Sequence, residues 1–393
     1  MSDTSIGITQ RWQMGAEARA LVILTGIMLV FGLASVYSAS AIVEMEAGYG
    51  HAYLLLRQVG GVAIGIVLFA ITAKLDAQVW EKWAWPLMIL ALVLLTVVIL
   101  PFTAAIAPRV HGSRRYLFGT SLQPSELAKL AVVVWTAMLV VKKGEILRRL
   151  TKGLLPFLVV IGALDVLVML EPDLSTAMMF TLLMGIILFA GGVRIGHFVA
   201  LGVLLIPLLY VKIERLNYVL LRMSAFFDPG KAPEVNYQLK QSLIAVGSGQ
   251  IFGVGFGRGR QQYGFLPFGY DDFIAAHIGE EWGFIGIVLL IIAFAVFGAL
   301  GFRIARKART PFLQLVAVGL TVTVVLTAYL HIGVAIGLLP TTGLTLPFIS
   351  YGRSNLVLSL VMTGILVNIG STRSGSPARS TTGPVGLLAL PAR

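Results

Sequence analysis

Two adjacent carboxylates, Asp271 and Asp272, stand directly before an apolar segment, at the end of a polar stretch that runs from Lys212 to Ala276. The rest of the sequence is almost continuously apolar, and the polar stretch also carries a group of basic residues: Lys212, Arg215, Arg222, Lys231, Lys240, Arg258 and Arg260. A carboxylate beside a basic surface, at the mouth of a membrane bundle, predicts a site for a polyanionic amphiphile. The structural alternative is that either aspartate caps the following helix or stays a solvated loop carboxylate.

A second pair of charged residues, Glu126 and Lys129, begins an apolar segment in the sequence SLQPSELAKLAVVVW. Pro124 is typical of a helix start, and a spacing of three residues puts the acid and the base on one helix face. Charges within a membrane span are costly, so they usually face a cavity and pair with each other. The pair is therefore either a structural ion pair or part of the lining of a polar site, and the two interpretations are compatible.

Other polar features have simpler explanations. Glu280 and Glu281 fall in the first turn of a predicted span, where carboxylates complement the helix dipole. The run GSGQIFGVGFGRGR, residues 247–260, contains near-matches to a phosphate-binding loop but lacks the strand–loop–helix context of a nucleotide site. Its backbone N–H groups, with Arg258 or Arg260, could still contact a lipid pyrophosphate. We interpret His331, Asp165 and His197 as packing or interfacial residues, and the sequence predicts no dedicated metal site.

The segment 337–355, GLLPTTGLTLPFISYGRSN, contains two prolines and three glycines between two apolar runs. Such a sequence predicts a re-entrant or tightly turned segment. Irregular backbone is tolerated at membrane depth only where it is buried in protein or lines a water-filled cavity.

The composition identifies an integral membrane protein. Of the 393 residues, 57% are hydrophobic and 12% are charged, about half the charged fraction of a soluble domain. The net charge of +12 is explained by basic cytoplasmic loops and anionic lipid, so we expect no nucleic-acid partner. The chain contains no cysteine, which excludes disulfides and thiolate metal sites.

Apolar segments of about 20 residues predict an all-α polytopic fold with ten transmembrane helices. The predicted spans are 19–40, 54–72, 84–101, 124–141, 154–170, 174–191, 194–211, 277–302, 312–336 and 354–369. This gives a cytoplasmic N-terminal segment at 1–18, a membrane domain at 19–369 with one large extracytoplasmic loop at 212–276, and a disordered cytoplasmic tail at 370–393. Short-loop Lys and Arg residues divide 17 to 5 in favour of the side that holds both termini, which predicts cytoplasmic termini.

Several stretches, in this order along the chain, resemble the SEDS family of polytopic peptidoglycan glycosyltransferases, which serve shape, elongation, division and sporulation. The stretches are GSRRYLFGTSLQPSELAKL (112–130), EPDLSTA (171–177), NYQLKQSLIAVGSGQIFGVGFGRGR (236–260), LPFGYDDFIAAHIGEEWGFIG (266–286) and GLLPTTGLTLPFISYG (337–352). They spread over most of the chain, and the resemblance agrees with the ten spans read independently.

The resemblance implies roles for particular residues. The family's catalytic carboxylate directly precedes Phe-Ile in the large extracytoplasmic loop, and Asp272 occupies that position. The family's acid and lysine motif falls on Glu126 and Lys129, which we count with Asp272 as catalytic candidates. The residues expected to bind substrate are Arg114, Arg115, Arg222, Lys240, Gln241 and Arg258.

The activity that the resemblance implies is polymerisation of lipid II into glycan strands in the bacterial cytoplasmic membrane. Asp272 would take a proton from the attacking sugar hydroxyl, and Arg, Lys or a divalent cation (Mg²⁺ or Mn²⁺) would stabilise the departing undecaprenyl pyrophosphate; no cofactor is certain. The implied partners are a class B penicillin-binding protein with transpeptidase activity, other divisome membrane proteins and membrane lipid.

PTTGLTLP and LKQSLIAVGSG resemble the FtsW division branch more closely than the RodA elongation branch, which remains the alternative. Three residues depart from the family pattern: Asp271 stands where Thr is common, Arg353 where Gly is usual, and His331 where Asn is common. A lipid-precursor flippase is a rival function, although it would carry charges deep in mid-span, and a scaffold for a division transpeptidase is another.

Overall fold

The computed structural model describes residues 12–103, 105–108, 114–119, 122–199, 220, 226–227 and 233–373. Within these residues the fold is a bundle of α-helices. We number the longer ones α1 (Ala16–Glu46), α2 (Tyr53–Lys74), α3 (Val79–Ile99), α4 (Pro124–Lys143), α5 (Leu155–Leu170), α6 (Leu174–Ala190), α7 (Pro233–Gly249), α8 (Ile274–Arg306), α9 (Pro311–Ala335) and α10 (Arg353–Ile369). Two short strands, β1 (Trp12–Met14) and β2 (Ser371–Arg373), pair antiparallel.

Nine of the ten predicted spans coincide with helices of the structure. In the described part of the chain, six helical segments are long and apolar enough to cross a membrane: those at 16–46, 53–74, 79–99, 152–170, 274–306 and 311–335. The same part contains two shorter apolar helices, α6 and α10. Of the span predicted at 194–211, residues 195–199 are helical and residues 200–211 lie outside the described residues. The prediction of an all-α membrane protein with roughly ten helices is confirmed.

The helices differ in which surface they bury. Most side chains of α4 are buried, including both charged residues of its first two turns. By contrast, α1 and α2 expose large apolar side chains such as Ile23, Val30 and Leu56. An apolar surface of this kind, outside a core that is itself apolar, is what a bilayer solvates, because lipid tails and side chains have similar polarity.

Helix ends define two faces of the bundle. On the terminal face, β1 pairs with β2, so the two ends of the membrane domain are joined. Sequence analysis assigned residues 12–14 to the N-terminal segment and 371–373 to the disordered tail, whereas the structure pairs them as strands; residues 374–393 lie outside the described part. The opposite face, which we call the Asp272 face, carries the starts of α4, α8 and α10, as the contacts below show. The predicted extracytoplasmic loop is not entirely irregular, since α7 lies within it.

The segment between α9 and α10, residues 336–352, re-enters the bundle as predicted. Four of its apolar side chains, those of Leu344, Leu346, Phe348 and Ile349, are buried. A Cβ atom on Gly32, near the middle of α1, would lie 2.5 Å from the carbonyl oxygen of Phe348. The ring of Phe348 also packs 5.7 Å from that of Phe297 in α8. The irregular backbone is therefore enclosed by protein, which is the condition for its stability at this depth.

Helix α8 is broken at Gly283, whose φ of 66° lies in the left-handed region. The break frees backbone groups on both sides. These groups form hydrogen bonds with residues of the run 247–260, which we call the glycine-rich loop. Val254 and Gly255 donate N–H groups to the carbonyls of Glu280 and Glu281 at 3.0 and 3.1 Å. Phe284 in turn donates its N–H to the carbonyl of Gln250 at 2.8 Å. The loop thereby satisfies the polar groups that the kink exposes.

Candidate active site

Asp271 and Asp272 lie in the turn that leads into α8, and neither caps the helix. The N-cap position is Phe273, which makes no side-chain cap hydrogen bond, and the first-turn N–H of Ala275 donates to Nε2 of His331 at 3.5 Å. The turn is instead fixed by the re-entrant segment. The hydroxyl of Ser350 donates to the carbonyl of Asp271 at 2.7 Å, and the N–H of Tyr351 donates to the carbonyl of Tyr270 at 2.9 Å. The helix-cap interpretation is therefore wrong.

The re-entrant segment also runs beside the carboxylate of Asp272. A Cβ atom on Gly343 would lie 3.8 Å from Oδ2 of Asp272. With its φ of +69°, this backbone position favours glycine. The carboxylate thus stands where loop 267–273 and the re-entrant segment meet.

The two aspartates differ in their surroundings. Oδ1 of Asp271 is buried and accepts no hydrogen bond. Burial and, after it, the charge of Asp272 raise the pKa of Asp271 well above its usual range. In chemical terms, two like charges held side by side favour retention of a proton on one of them.

Tyr116 is a site residue that the sequence analysis missed. Burial raises the pKa of its phenol, and the negative charges of Asp271, Asp272 and Glu126 raise it further. These interactions bring together the segment before α4, the start of α4 and the acidic turn before α8. The available sequence signal was its place between the basic pair and QPSE, because an aromatic residue there can face the same site.

Glu126 and Lys129 form an ion pair with Nζ 2.7 Å from Oε1. Both side chains are almost completely buried, with 8% and 3% of their surfaces exposed. The contact that the helical spacing predicted is confirmed. Its participation in catalysis stays a prediction, although Glu126 is close enough to Tyr116 to contribute to the raised pKa of that phenol.

Arg114 and Arg115 brace the protein's own backbone. Arg114 donates to the carbonyl of Leu100 at 3.0 Å. Arg115 donates to the carbonyls of Glu171 and Pro172 at 3.1 and 2.6 Å, and its guanidinium lies 3.7 Å from the carboxylate of Asp173. Arg115 therefore ties the segment before α4 to the α5–α6 turn. Substrate binding by these two arginines stays a prediction, and these bonds already engage their guanidinium groups.

The α5–α6 turn contains a buried acid beside this brace. Burial, followed by the nearby charge of Asp173, raises the pKa of Glu171 to about 9, against the opposing effect of Arg115. Asp173 itself caps α6, since its Oδ1 accepts the N–H of Thr176 at 3.1 Å. The turn is thus a rigid support for Arg115.

Three of the four remaining predicted substrate-binding residues lie on α7 or in the glycine-rich loop. Lys240 on α7 and Arg258 in the glycine-rich loop are both exposed. Gln241 accepts a hydrogen bond from the side chain of Gln261 at 3.2 Å, so it links α7 to that loop. Arg222 lies outside the described residues. Binding of substrate by all four stays a prediction.

Glu280 and Glu281 do not act as first-turn dipole partners, because α8 begins earlier, at Ile274, and both side chains are buried. They hold the glycine-rich loop instead. Glu280 accepts the backbone N–H groups of Arg260 and Gln261 at 2.8 and 3.2 Å. Glu281 accepts the N–H of Gly257 at 2.7 Å. Ser38 of α1 and His277 also contact Glu281.

These carboxylates occupy N–H groups of the loop that the sequence analysis had considered for a pyrophosphate. The hypothesis of phosphate binding by those backbone groups is therefore wrong for Gly257 and Arg260. His331, by contrast, is buried as a packing residue between the carbonyl of Leu344 and the start of α8. Among the described residues no group of three or more acidic or histidine side chains is arranged to hold a metal ion.

Comparison with known proteins decides the family. The family model described as "Cell cycle protein", which covers FtsW, RodA and SpoVE, matches residues 19–375. The chain belongs to the FtsW/RodA/SpoVE family. The resemblance to this family drawn from the motifs is thereby confirmed.

Individual members of the FtsW/RodA/SpoVE family are similar over nearly the whole chain. The probable peptidoglycan glycosyltransferase FtsW of Trichlorobacter lovleyi is 36% identical, over 89% of this chain and 92% of that protein. Stage V sporulation protein E of Bacillus subtilis is 34% identical, over 89% and 95%. A solved peptidoglycan synthase complex, reported for its structural coordination of polymerization and crosslinking, contains a chain of similar fold. That chain has a TM-score of 0.73 and 25% identity, with coverage of 90% of this chain and 97% of the other.

Proposed function

We propose that this protein is a peptidoglycan glycosyltransferase that polymerises lipid II into glycan strands on the outer face of the cytoplasmic membrane, with Asp272 as general base. Family membership and relatives named as probable peptidoglycan glycosyltransferases support the activity. Similarity to proteins named FtsW favours septal synthesis during division over the elongation role. The assignment of Asp272 as the base rests on the position of its carboxylate, beside Gly343 of the re-entrant segment.

The reaction needs one strong base. A 4-hydroxyl of one disaccharide attacks C1 of another, and the leaving group is undecaprenyl pyrophosphate. A pyrophosphate departs without a proton from an acid, so a single carboxylate that removes the hydroxyl proton is sufficient. The paired carboxylates of most glycosidases are not required for such an inverting displacement.

The site is rigid around this carboxylate. Ser350 and Tyr351 fix the backbone of Asp271 and Tyr270, so the turn cannot reorient without breaking two hydrogen bonds. Adjacent residues of a turn point in different directions, and one oxygen of Asp271 faces a buried environment. Asp272 is therefore the better placed of the two to approach a bound hydroxyl.

The departing pyrophosphate requires positive charge. Lys129 is near the site but paired with Glu126. A divalent cation, Mg²⁺ or Mn²⁺, stays part of the proposal, because carboxylate and phosphate oxygens are the ligands that such ions take. When bound, it would neutralise charge on the leaving group.

The proposed partner is a class B penicillin-binding protein, joined by other divisome membrane proteins. The similarity to a chain of a peptidoglycan synthase complex supports this partner. We place both termini in the cytoplasm on the basis of the basic-residue bias, and this puts Asp272 on the side where the crosslinking enzyme acts.

The decisive experiment compares Asp272→Asn with Asp271→Asn in a lipid II polymerisation assay, at matched protein levels and with and without a class B penicillin-binding protein. Asp272→Asn is nearly isosteric and should retain folding and partner binding while losing about 10²–10⁴-fold in rate. Asp271→Asn should keep most of the activity. The reverse pattern would move the base by one residue. Full activity of the double variant would remove this turn from catalysis and favour the flippase or scaffold.

A further inference from the structure

A strip of aromatic and basic side chains extends from the acidic turn to the outer end of α2. The rings of Tyr270 and Tyr351 pack edge to face, with centroids 5.9 Å apart. Farther along, Tyr49 and Tyr53 stack with centroids 4.5 Å apart. Arg57 belongs to the second pair, because its guanidinium lies 5.2 Å from the centre of the Tyr53 ring and donates to the Tyr53 hydroxyl at 3.0 Å.

The position of Arg57 relative to Asp271 is fixed by its neighbour in sequence. The side chain of Gln58 donates to the carbonyl of Ser350 at 2.9 Å and accepts the N–H of Gly352 at 3.3 Å. Ser350 is the residue whose hydroxyl holds the carbonyl of Asp271. Two residues therefore connect α2 to the acidic turn, and Arg57 is held at a set place beside the site.

A second guanidinium lies on the same side of α2. A Cβ atom on Gly61, one helical turn beyond Arg57, would lie 3.1 Å from Cγ of Arg353. The charges of Arg57 and Arg353 both counteract the rise in the pKa of Tyr351 that burial causes. Both cations are thus near the Tyr351 ring. Arg353 stands where the family pattern has glycine, so this second cation is a feature of the present chain.

The charge of Arg57 is exposed and only partly compensated. In the described part of the chain its guanidinium forms no ion pair with a carboxylate, although Glu44 interacts with it over a longer distance. The flanking residue Leu56 is apolar and 68% exposed, as expected of a lipid-facing position. Arg57 therefore sits where a lipid-facing surface meets the polar face of the site.

These observations identify the kind of ligand. We propose that Arg57, beside Arg353 and Tyr351, binds the pyrophosphate of the lipid-linked substrate. Guanidinium groups bind phosphate oxygens in a bidentate manner, and the tail of such a ligand would pass along the apolar side of α2. The inference rests on the proposed function and assigns to these residues the leaving-group end of the same site.

The test measures equilibrium binding of undecaprenyl pyrophosphate to the full chain in nanodiscs of phosphatidylcholine, which needs no catalysis. Arg57→Gln should weaken binding about tenfold or more, because it removes a charge-assisted contact. Arg57→Lys, which keeps the charge but not the planar fork, should be intermediate. Arg19→Gln, the loss of an exposed arginine at the start of α1 on the terminal face, is the matched control and should leave binding unchanged.

Glu44→Gln changes the local charge in the opposite direction from Arg57→Gln. It removes a negative charge near Arg57, so binding should stay equal or become tighter. Weaker binding in Glu44→Gln and Arg57→Gln alike, with lowered thermal stability, would indicate a structural role and overturn the proposal. Wild-type affinity in Arg57→Gln would overturn it directly. An effect seen only with phosphatidylglycerol in the nanodisc would instead assign Arg57 to a phospholipid headgroup.

The polymerisation assay separates this proposal from the proposed function. Arg57→Gln should raise KM for lipid II and weaken inhibition by added inorganic pyrophosphate. If wild-type protein made no glycan strands yet bound undecaprenyl pyrophosphate through Arg57, the polymerase assignment would fail while the subsite stood. Active Arg57→Gln protein with wild-type KM and inhibition would reject the subsite alone.

Discussion

At the scale of single residues, the polar groups near Asp272 are held mainly by the protein itself. Arg114 and Arg115 bind backbone carbonyls, and Lys129 binds Glu126. A residue type that suits substrate binding can thus serve the structure instead, because an unpaired charge at this depth is expensive. The exposed guanidinium of Arg57, to which the sequence analysis gave no role, is better placed for a ligand.

The Glu126–Lys129 pair gives a prediction at this scale. Glu126→Ala or Lys129→Ala alone should lower the free energy of unfolding by about 3–5 kcal/mol, because each leaves one buried charge without its partner. The double variant should lose less than the sum of the two single losses. Thermal unfolding in detergent measures this cycle, with the exposed Lys82→Ala as a control for loss of a lysine. Wild-type stability of both single variants would contradict the prediction.

At the scale of elements, the re-entrant segment connects the membrane core to the site. Its deepest part touches α1 at Gly32, and its end carries Ser350, which holds the acidic turn. The glycine-rich loop is a second such element, fixed by Glu280 and Glu281 across the break in α8. Both elements are irregular, and both are stabilised by contacts with helices: the first with α1, far away in sequence, and the second with α8, the next helix along the chain.

A glycine substitution tests the first of these elements. At Gly32 a Cβ atom would lie 2.5 Å from the Phe348 oxygen and 2.7 Å from the Ile349 Cα, so Gly32→Ala should force the segment to move. We expect a loss of about 1–3 kcal/mol in stability, typical of overpacking, with reduced polymerisation because Ser350 shifts.

Gly26→Ala is the matched control on the same helix, since a Cβ atom there meets nothing within 4 Å. It should be neutral or slightly stabilising, as alanine is the better helix former. Equal behaviour of the two variants in thermal unfolding and in the polymerisation assay would contradict the described path of the re-entrant segment.

At the scale of the whole molecule, the bundle places its two termini together on one face and the acidic turn on the other. The pairing of β1 with β2 fixes the position of the termini. The position of the acidic turn is fixed by two bonds: Gln58 donates to the carbonyl of Ser350, and the Ser350 hydroxyl donates to the carbonyl of Asp271. The positive-inside bias predicts that the terminal face is the cytoplasmic one.

The absence of cysteine makes this orientation easy to test. Phe102 and Gln78 are exposed residues just beyond opposite ends of α3, so each can be replaced by a single cysteine. In intact spheroplasts a membrane-impermeant maleimide should label Phe102→Cys and should label Gln78→Cys only after lysis. The opposite labelling would invert the topology and place Asp272 on the wrong side for lipid II polymerisation.

The sequence by itself determined the features that depend on local information. Hydrophobic segment length reports a span because the thickness of the bilayer fixes the number of residues needed. The spacing of Glu126 and Lys129 predicted their contact because residues three apart share a helix face. The stretches around Asp272 and in the re-entrant segment indicated the family before any contact was known.

Only the tertiary structure decided which distant groups meet. Gln58 and Ser350 are separated by 292 residues, and Ser38 and Glu281 by 243, so no local periodicity reports their bonds. The same limit explains why Glu280 and Glu281 suggested dipole partners. The N–H groups that their carboxylates accept belong to a loop that folds back over the break in α8, and the sequence does not report that fold. The sequence therefore predicted the carboxylate of the site, whereas the surroundings of that carboxylate, including Tyr116 and Arg57, were set by packing between helices, which depends on three-dimensional proximity.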